Sequence, residues 1–414
     1  MMTNFKILTI LLLCLLMVAQ IGQSQNIAQW RGDHRDGIYQ EKNLLKVWPE
    51  AGPALLWMTE EIGDGYSSPA VAGNQLFING EVDSVSHLFA FDLKGKMLWK
   101  SPNGLEFSGA DYSASFPGSR SVPTVYNELV YVCSGMGRVA CFEAGSGKEI
   151  WAVDMISDLG GKLNYFGYSE SLFVDEKNVY CFPGGDKLNI VALDKLTGKV
   201  IWTSKAMGDA VSFCSPIVIK LQERNVLVTV SHEYMMGLDT RNGELLWSHK
   251  EDSVKREGEH CNTPIYSDGF IYVVSGVEKG DGAYQMALSP DGKSVKMTWQ
   301  NRRIMNAMGG FIKIEDRLFS TSKDNKLKCL DVKNGMVVDS LSNLRGNTIY
   351  ADDHLYCYTD NGNVNLISIS EPKMNVVSKF KIVKGTREHF AHPVISNGVL
   401  YVRHGNALMA YAIK

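Results

Sequence analysis

From Ser67 onward the chain reads as short alternating runs of apolar and polar residues, broken at regular intervals by Gly, Asn and Asp. Alternation with a period of two is the pattern of strands with one face buried, and the breaks are turns. Four copies of one longer phrase stand out. They are AFDLKGKMLW ending at Trp99, CFEAGSGKEIW at Trp151, ALDKLTGKVIW at Trp202 and GLDTRNGELLW at Trp247. The spacings between these tryptophans are about 52, 51 and 45 residues, and Trp299 follows about 52 further on, a period that belongs to propellers and solenoids. Each phrase is a strand, an acidic residue, a Gly turn and a second strand ending in Trp.

The residues ahead of each phrase complete a unit. Ser68-Pro69-Ala70-Val71, Val122-Pro123-Thr124-Val125, Ser215-Pro216-Ile217-Val218, Thr263-Pro264-Ile265-Tyr266 and His392-Pro393-Val394-Ile395 each open a strand with Pro, where no ladder N–H is yet needed. A polar turn such as Gly73-Asn74 or Asp268-Gly269 leads to a β-branched and aromatic strand, and the phrase supplies two more. Four short antiparallel strands per repeat make a propeller blade. First strands are expected near Ser67, Ser121, Glu170, Cys214, Asn262, Gly309, Gly346 and Ala391, which gives an all-β, eight-bladed propeller. The last blade stops at Lys414 without its outer strand, and Ala54-Leu55-Leu56-Trp57 supplies one, so the ring is predicted to close by pairing the two ends of the chain.

Within the phrase, Glu143, Asp194, Asp239 and Asp331 are expected to accept turn N–H groups, and Gly147, Gly198, Gly243 and Gly335 to take positive φ. Trp57, Trp99, Trp151, Trp202, Trp247 and Trp299 are expected to dock each blade on the next, a burial worth about 2–3 kcal/mol each. Blades six and seven are degenerate, with Asp339 and Ser378 where Trp is expected.

Lys6, the apolar stretch Ile7 to Val18 and the small residues Gly22 and Ser24 have the form of an export signal, so residues 1–24 are read as a signal peptide and 25–414 as one propeller domain. The product is expected to be periplasmic, outer-membrane-associated or secreted. Leu13 ahead of Cys14 argues against lipidation there. The formal charge of −3 carries no basic stripe, which argues against nucleic acid and anionic lipid as partners. Beyond the leader lie Cys133, Cys141, Cys181, Cys214, Cys261, Cys329 and Cys357, none in a CxxC or adjacent pair, and they read as apolar fillers.

The Ala192-Leu193-Asp194 to Thr197-Gly198-Lys199 to Trp202 phrase resembles the repeat of pyrroloquinoline-quinone (PQQ) type eight-bladed propellers, the quinoprotein alcohol dehydrogenase-like superfamily. Gln29-Trp30-Arg31-Gly32-Asp33 with Arg35-Asp36-Gly37 resembles the N-terminal segment of short exported members. The resemblance runs from Gln29 to Lys414 and implies the fold. It covers both quinoprotein dehydrogenases and non-enzymatic scaffolds of the BamB, outer-membrane-assembly type. The enzymes are known for an adjacent Cys–Cys ring against the quinone and an acidic and amide set for Ca²⁺ with an Asp base. This sequence has no such pair or cluster, so no cofactor is predicted, PQQ included, and no catalytic or metal residue is assigned.

Function is therefore sought in the loops that lead into the first strand of each blade, which a propeller gathers around its channel. Tyr66, Arg120, Tyr168, Phe213, His260, Asn306, Arg345 and His389 are the candidate channel-face residues, suited to a planar ligand, a glycan or an envelope protein partner. His260, Cys261, Cys214, His389 and His392 would form a Zn²⁺ site only if blades four, five and eight converge. His260, His389, Arg120 and Tyr168 are the set a glycan-lyase chemistry would need. Arg31-Gly32-Asp33 is expected to pack near the closure, and Gly184-Gly185-Asp186 and Gly280-Asp281-Gly282 lack the spaced acids of a Ca²⁺ loop.

Overall fold

A computed structural model describes residues 27–251, 260–275, 281–306, 308–370 and 373–414. The expected signal peptide, its cleavage ahead of Gln25 and Cys14 lie outside the described residues. The strands form eight antiparallel sheets, successive in sequence except at the closure and for Ile27–Ala28, which adds a fifth strand to blade two. First strands are Ala70–Ala72, Thr124–Tyr126, Phe173–Val174, Ile217–Lys220, Ile265–Ser267, Ile312–Ile314, Gly346–Ala351 and Val394–Ser396, so most begin a few residues after the predicted starts. In the last blade the outer strand is Ala54–Thr59, paired with Ala407–Ala412 so that Trp57 faces Ala410. The ring closes as the sequence predicts. No helix among the described residues is long and apolar enough to cross a membrane.

The Trp phrase is a docking device. The Trp202 indole donates to Thr240 O at 2.9 Å, in the next blade's turn, and Trp151 reaches Lys195 O at 2.8 Å. Trp57, Trp99 and Trp299 do the same to Leu93, Ala144 and Val332. Beneath each ring lies the glycine of that next turn. A Cβ on Gly198 would stand 2.7 Å from the Trp151 ring, so this glycine makes room for the indole as well as taking φ +69°. Asp194, Asp239 and Asp331 accept turn N–H groups as expected. Glu143 does not: its longer side chain reaches the Ser146 hydroxyl instead. Trp247 is packed, yet its Nε1 has no acceptor among the described residues.

A bulge accompanies each docking position. The ladder between third and outer strand slips by one residue beside Trp202, leaving Ile201 as the extra residue, and the same irregularity recurs in every blade. The slip turns the Trp toward the neighbouring blade.

The degenerate blades are completed by other means. Asp339 occupies the Trp register position in blade six, and its Oδ2 accepts the Met374 N–H at 2.7 Å. In blade seven Ser378 holds that position and accepts the Trp48 N–H at 2.9 Å. The buried Trp48 ring lies 5.9 Å from Tyr356 and 5.3 Å from Phe380. Tyr180 meets Trp202 at the same 5.9 Å in blade three, so Trp48 supplies from the N-terminal segment the ring blade seven lacks.

That segment also fills the channel. Ile27 and Ala28 pair with Tyr126 and Val125 at the inner edge of blade two, and Ile38 bridges to Tyr350 in blade seven. Both contacts lie beside the turns that join first and second strands, so the segment enters and leaves through one face, here termed the turn face. Between them, Arg35 donates to Ser171 O (2.9 Å), Leu172 O (2.5 Å) and Pro216 O (3.0 Å) of blades three and four. Arg31 donates to Phe311 O of blade six at 2.7 Å, and Trp30 to Thr263 Oγ1 of blade five at 2.8 Å. The Trp30 ring packs edge-on against His392 of blade eight, with centroids 4.4 Å apart. The Arg31-Gly32-Asp33 tripeptide thus sits in the channel rather than at the closure seam, its arginine buried. Burial lowers the guanidinium of Arg35 to about 9 and that of Arg31 to about 10.

Candidate functional site

All eight candidate residues lie in the connections that lead into first strands, hence on the loop face, opposite the turn face. There they separate into three environments.

Tyr66, Arg120 and Phe213 join an aromatic network. The Tyr66 hydroxyl donates to Glu388 Oε2 at 2.7 Å and its ring lies 5.6 Å from Phe390. Phe390 stacks on Phe116 at 6.4 Å, Phe116 meets Phe166 at 6.2 Å, and Phe166 meets Phe213 at 5.9 Å. Tyr112, 64 % exposed, and Tyr165, 37 % exposed, extend the network outward, 5.2 Å from Phe116 and 4.9 Å from Phe166. The Arg120 guanidinium sits over the Tyr66 ring at 5.6 Å and over Phe107 and Phe166 at 6.0 Å each. Such contacts contribute about 0.5–2 kcal/mol apiece, more when desolvated.

The loop carrying Arg120 is firmly held. Glu106, buried, accepts from Gly135 N (2.6 Å), Phe107 N (3.0 Å) and Ser119 Oγ (2.6 Å). Ser119 O in turn accepts from Tyr66 N at 2.8 Å and Ser67 N at 3.1 Å, tying the loop to blade one. Arg387 pairs with Asp64 at 2.9 Å across the closure between blades eight and one.

Asn306, Arg345 and His389 line a second, shallow polar notch with Lys323, Asn347 and Asp360. Arg345 lies 3.4 Å from Asp360. His389 Nδ1 lies 2.5 Å from the Tyr358 hydroxyl, within hydrogen-bond distance, and its ring is stacked on His404 at 3.8 Å. Burial and the neighbouring His404 bring its pKa down to about 4.

Tyr168 and His260 are placed elsewhere. Tyr168 is fully buried and its hydroxyl donates to Pro183 O at 2.9 Å. His260 is buried with Nδ1 3.5 Å from Glu251 Oε2, and Glu251 also accepts from Tyr284 at 2.5 Å. Arg120, Tyr168, His260 and His389 therefore keep four separate sets of partners and form no common acid–base site. Nor do the histidines and cysteines converge. Cys214 directs its thiol to Asn262 O and Ser215 O, and among the described residues no group of three or more His, Cys, Asp or Glu could hold a metal ion.

Tyr112 and Phe107 join the site without any signal in the repeat. Their cue was local: Phe107, Tyr112 and Phe116 crowd the connection from the Trp99 strand into blade two.

A family model described as outer membrane protein assembly factor BamB matches residues 86–340, well over half of the chain. The chain belongs to this family. Among curated BamB proteins, that of Kangiella koreensis is 26 % identical over 206 residues, covering 50 % of this chain and 47 % of that protein. That of Salmonella typhimurium is 23 % identical over 274 residues, covering 54 % of this chain and 66 % of its own length. The match thus spans about half of the first relative and about two thirds of the second. Among solved structures, BamB from Moraxella catarrhalis superposes with a TM-score of 0.58 at 12 % identity, covering 86 % of this chain and 98 % of that one. Quinohemoprotein alcohol dehydrogenase from Comamonas testosteroni gives 0.66, also at 12 % identity, covering 93 % and 80 %. At such identities these two share the fold with this BamB-family chain, and the fold alone serves both a scaffold and an enzyme.

Proposed function

We propose that this protein is an exported, non-catalytic scaffold of the BamB type, holding a protein partner in outer-membrane assembly on its loop face. The observation that carries the reading is the aromatic network over a channel filled from the other side. With Trp30, Arg31 and Arg35 in the channel, a ligand meets the exposed Tyr112 and Tyr165 and the half-buried Phe116, Phe166 and Phe390, aromatic residues of the kind enriched at protein interfaces. Membership of the BamB family supports the same reading.

The residues present do not suit a quinone. The described cysteines are free thiols and none are neighbours, so no Cys–Cys ring exists to lie against one. The described residues offer no carboxylate cluster for Ca²⁺, and the channel axis is occupied by the protein's own side chains.

Co-purification from native envelope extracts tests the reading. The wild-type protein is expected to recover an outer-membrane assembly component, and Tyr112→Ser with Tyr165→Ser to lose it while keeping the wild-type Tm. Recovery of no such component would count against the scaffold, and saturable PQQ binding with dye-linked alcohol oxidation would replace it with an enzyme.

A further inference from the structure

Arg120 is the unusual member of the loop face. Its Nη atoms donate to Gly118 O at 3.1 Å and to Phe116 O, both in its own loop. A guanidinium carries more donors than these bonds use, and Arg120 makes no ion pair among the described residues. The charges and titratable groups that act on it are Glu106, Tyr66, Cys261 and Glu81. Glu106 spends its two oxygens on Ser119, Phe107 and Gly135. Tyr66 is committed to Glu388. Glu81 lies at the loop-face end of a blade-one strand, its backbone paired with Asp64, and acts on Arg120 through space without an ion pair. A neighbouring cation, Arg387, is neutralised by Asp64. Three aromatic rings lie 5.6–6.0 Å from the Arg120 guanidinium, and burial among them lowers its pKa. Glu106 and Glu81 offset this only through space, and an incoming anion in direct contact with the guanidinium would recover more of the cost.

We propose that Arg120 and the rings around it form a socket for a carboxylate flanked by aromatic or large apolar side chains on a partner polypeptide. This rests on the protein-scaffold reading above and names the chemistry of its contact. Charge complementarity selects the carboxylate, which a guanidinium takes in paired, parallel hydrogen bonds. The rings select the neighbours. From Tyr112 through Phe116 to Phe390, and from Phe116 through Phe166 to Tyr165, ring follows ring at 4.9–6.4 Å. That run joins five rings, of which Tyr112 and Tyr165 are exposed. A peptide in extended form, with a Glu between two aromatic residues, matches it: the acid reaches the guanidinium and the flanking rings stack on Phe116 and Phe166.

The test uses the full mature protein and a fluorescein-labelled, end-blocked peptide, Gly-Phe-Glu-Phe-Gly, against its Gln counterpart, read by fluorescence anisotropy. The Glu peptide is expected to bind about tenfold tighter than the Gln peptide, with a preference that shrinks in high salt. Arg120→Met should abolish the preference, and Arg120→Lys should keep part of it. If Arg120→Met does not fold, the Glu-to-Gln ratio and its salt dependence in the wild-type protein decide. Equal binding of the two peptides, no binding of either, or saturable binding of an oligouronate in their place would each overturn the socket. Should those results coincide with recovery of an assembly component that Tyr112→Ser and Tyr165→Ser abolish, the scaffold reading stands and the socket alone falls.

Discussion

The backbone nitrogen of Trp48 lies 2.9 Å from the hydroxyl of Ser378, so a residue ahead of the first blade caps the register position at which blade seven has no ring. The seventh and eighth blades share one apolar cluster in which Trp48 packs with Tyr356 and Phe380. Trp48→Ala is expected to destabilise the protein by about 3–5 kcal/mol in chemical denaturation. Adding Ser378→Trp to that variant should restore part of the loss, because the blade then carries its own ring. No recovery would mean that the two positions are not equivalent.

Gly198 separates two roles of the repeat glycine. Gly198→Ala faces both a positive φ and the Trp151 ring, and should cost about 2 kcal/mol or more. Gly145, in the same kind of turn, has nothing within 4 Å of an added Cβ and no positive φ, so Gly145→Ala should stay within about 0.5 kcal/mol. Thermal or urea unfolding of the pair measures the difference.

Arg35, 1 % exposed, is the pin of the channel segment. Arg35→Met leaves three buried carbonyls without their donor, and about 3–5 kcal/mol of stability is expected to go with it. Limited trypsin digestion gives a local readout. Cleavage after Arg31, which is buried in the native protein, should become fast in the variant well below its global unfolding midpoint.

Glu170 carries a pH dependence. It is fully buried, with Oε1 accepting from Phe182 N at 3.2 Å and Oε2 without a partner. Burial raises its pKa from 4.5 to about 8. A carboxyl raised in the folded state holds its proton there while the unfolded chain has lost it. Its stabilising contribution is therefore complete below the unfolded value and disappears as pH rises through the folded one. Glu170→Gln should flatten the fall in Tm between roughly pH 5 and 8. An unchanged slope would place the dependence on another group.

Much of the fold was legible because blade architecture repeats its own chemistry. Pro at a strand start, Asp and Gly in a turn and Trp at the end of a strand recur at one spacing, and the missing last strand points to Trp57. What was hidden is whatever the repeat does not encode. Trp48, Arg31 and Arg35 precede the first blade, and nothing in their local sequence says that they enter the channel or replace an absent Trp. Strand order puts the candidates in the connections of the loop face, but strand order does not fix side-chain direction. Tyr168 and Phe213 occupy similar positions in successive connections, yet Tyr168 turns into the blade and hydrogen-bonds Pro183 O while Phe213 joins the rings. His260 turns inward likewise, toward Glu251.

The hairpin that fills the channel also gives the molecule a handle. Ile27 leaves beside Tyr126, and Lys414 ends against Gly398, each next to a turn between first and second strands. Both described ends of the chain therefore emerge on the side away from Arg120 and Tyr112. A tether attached at either end, whether a purification tag, a sensor surface or a bilayer, would leave the rings pointing outward and open to a partner approaching from the opposite direction.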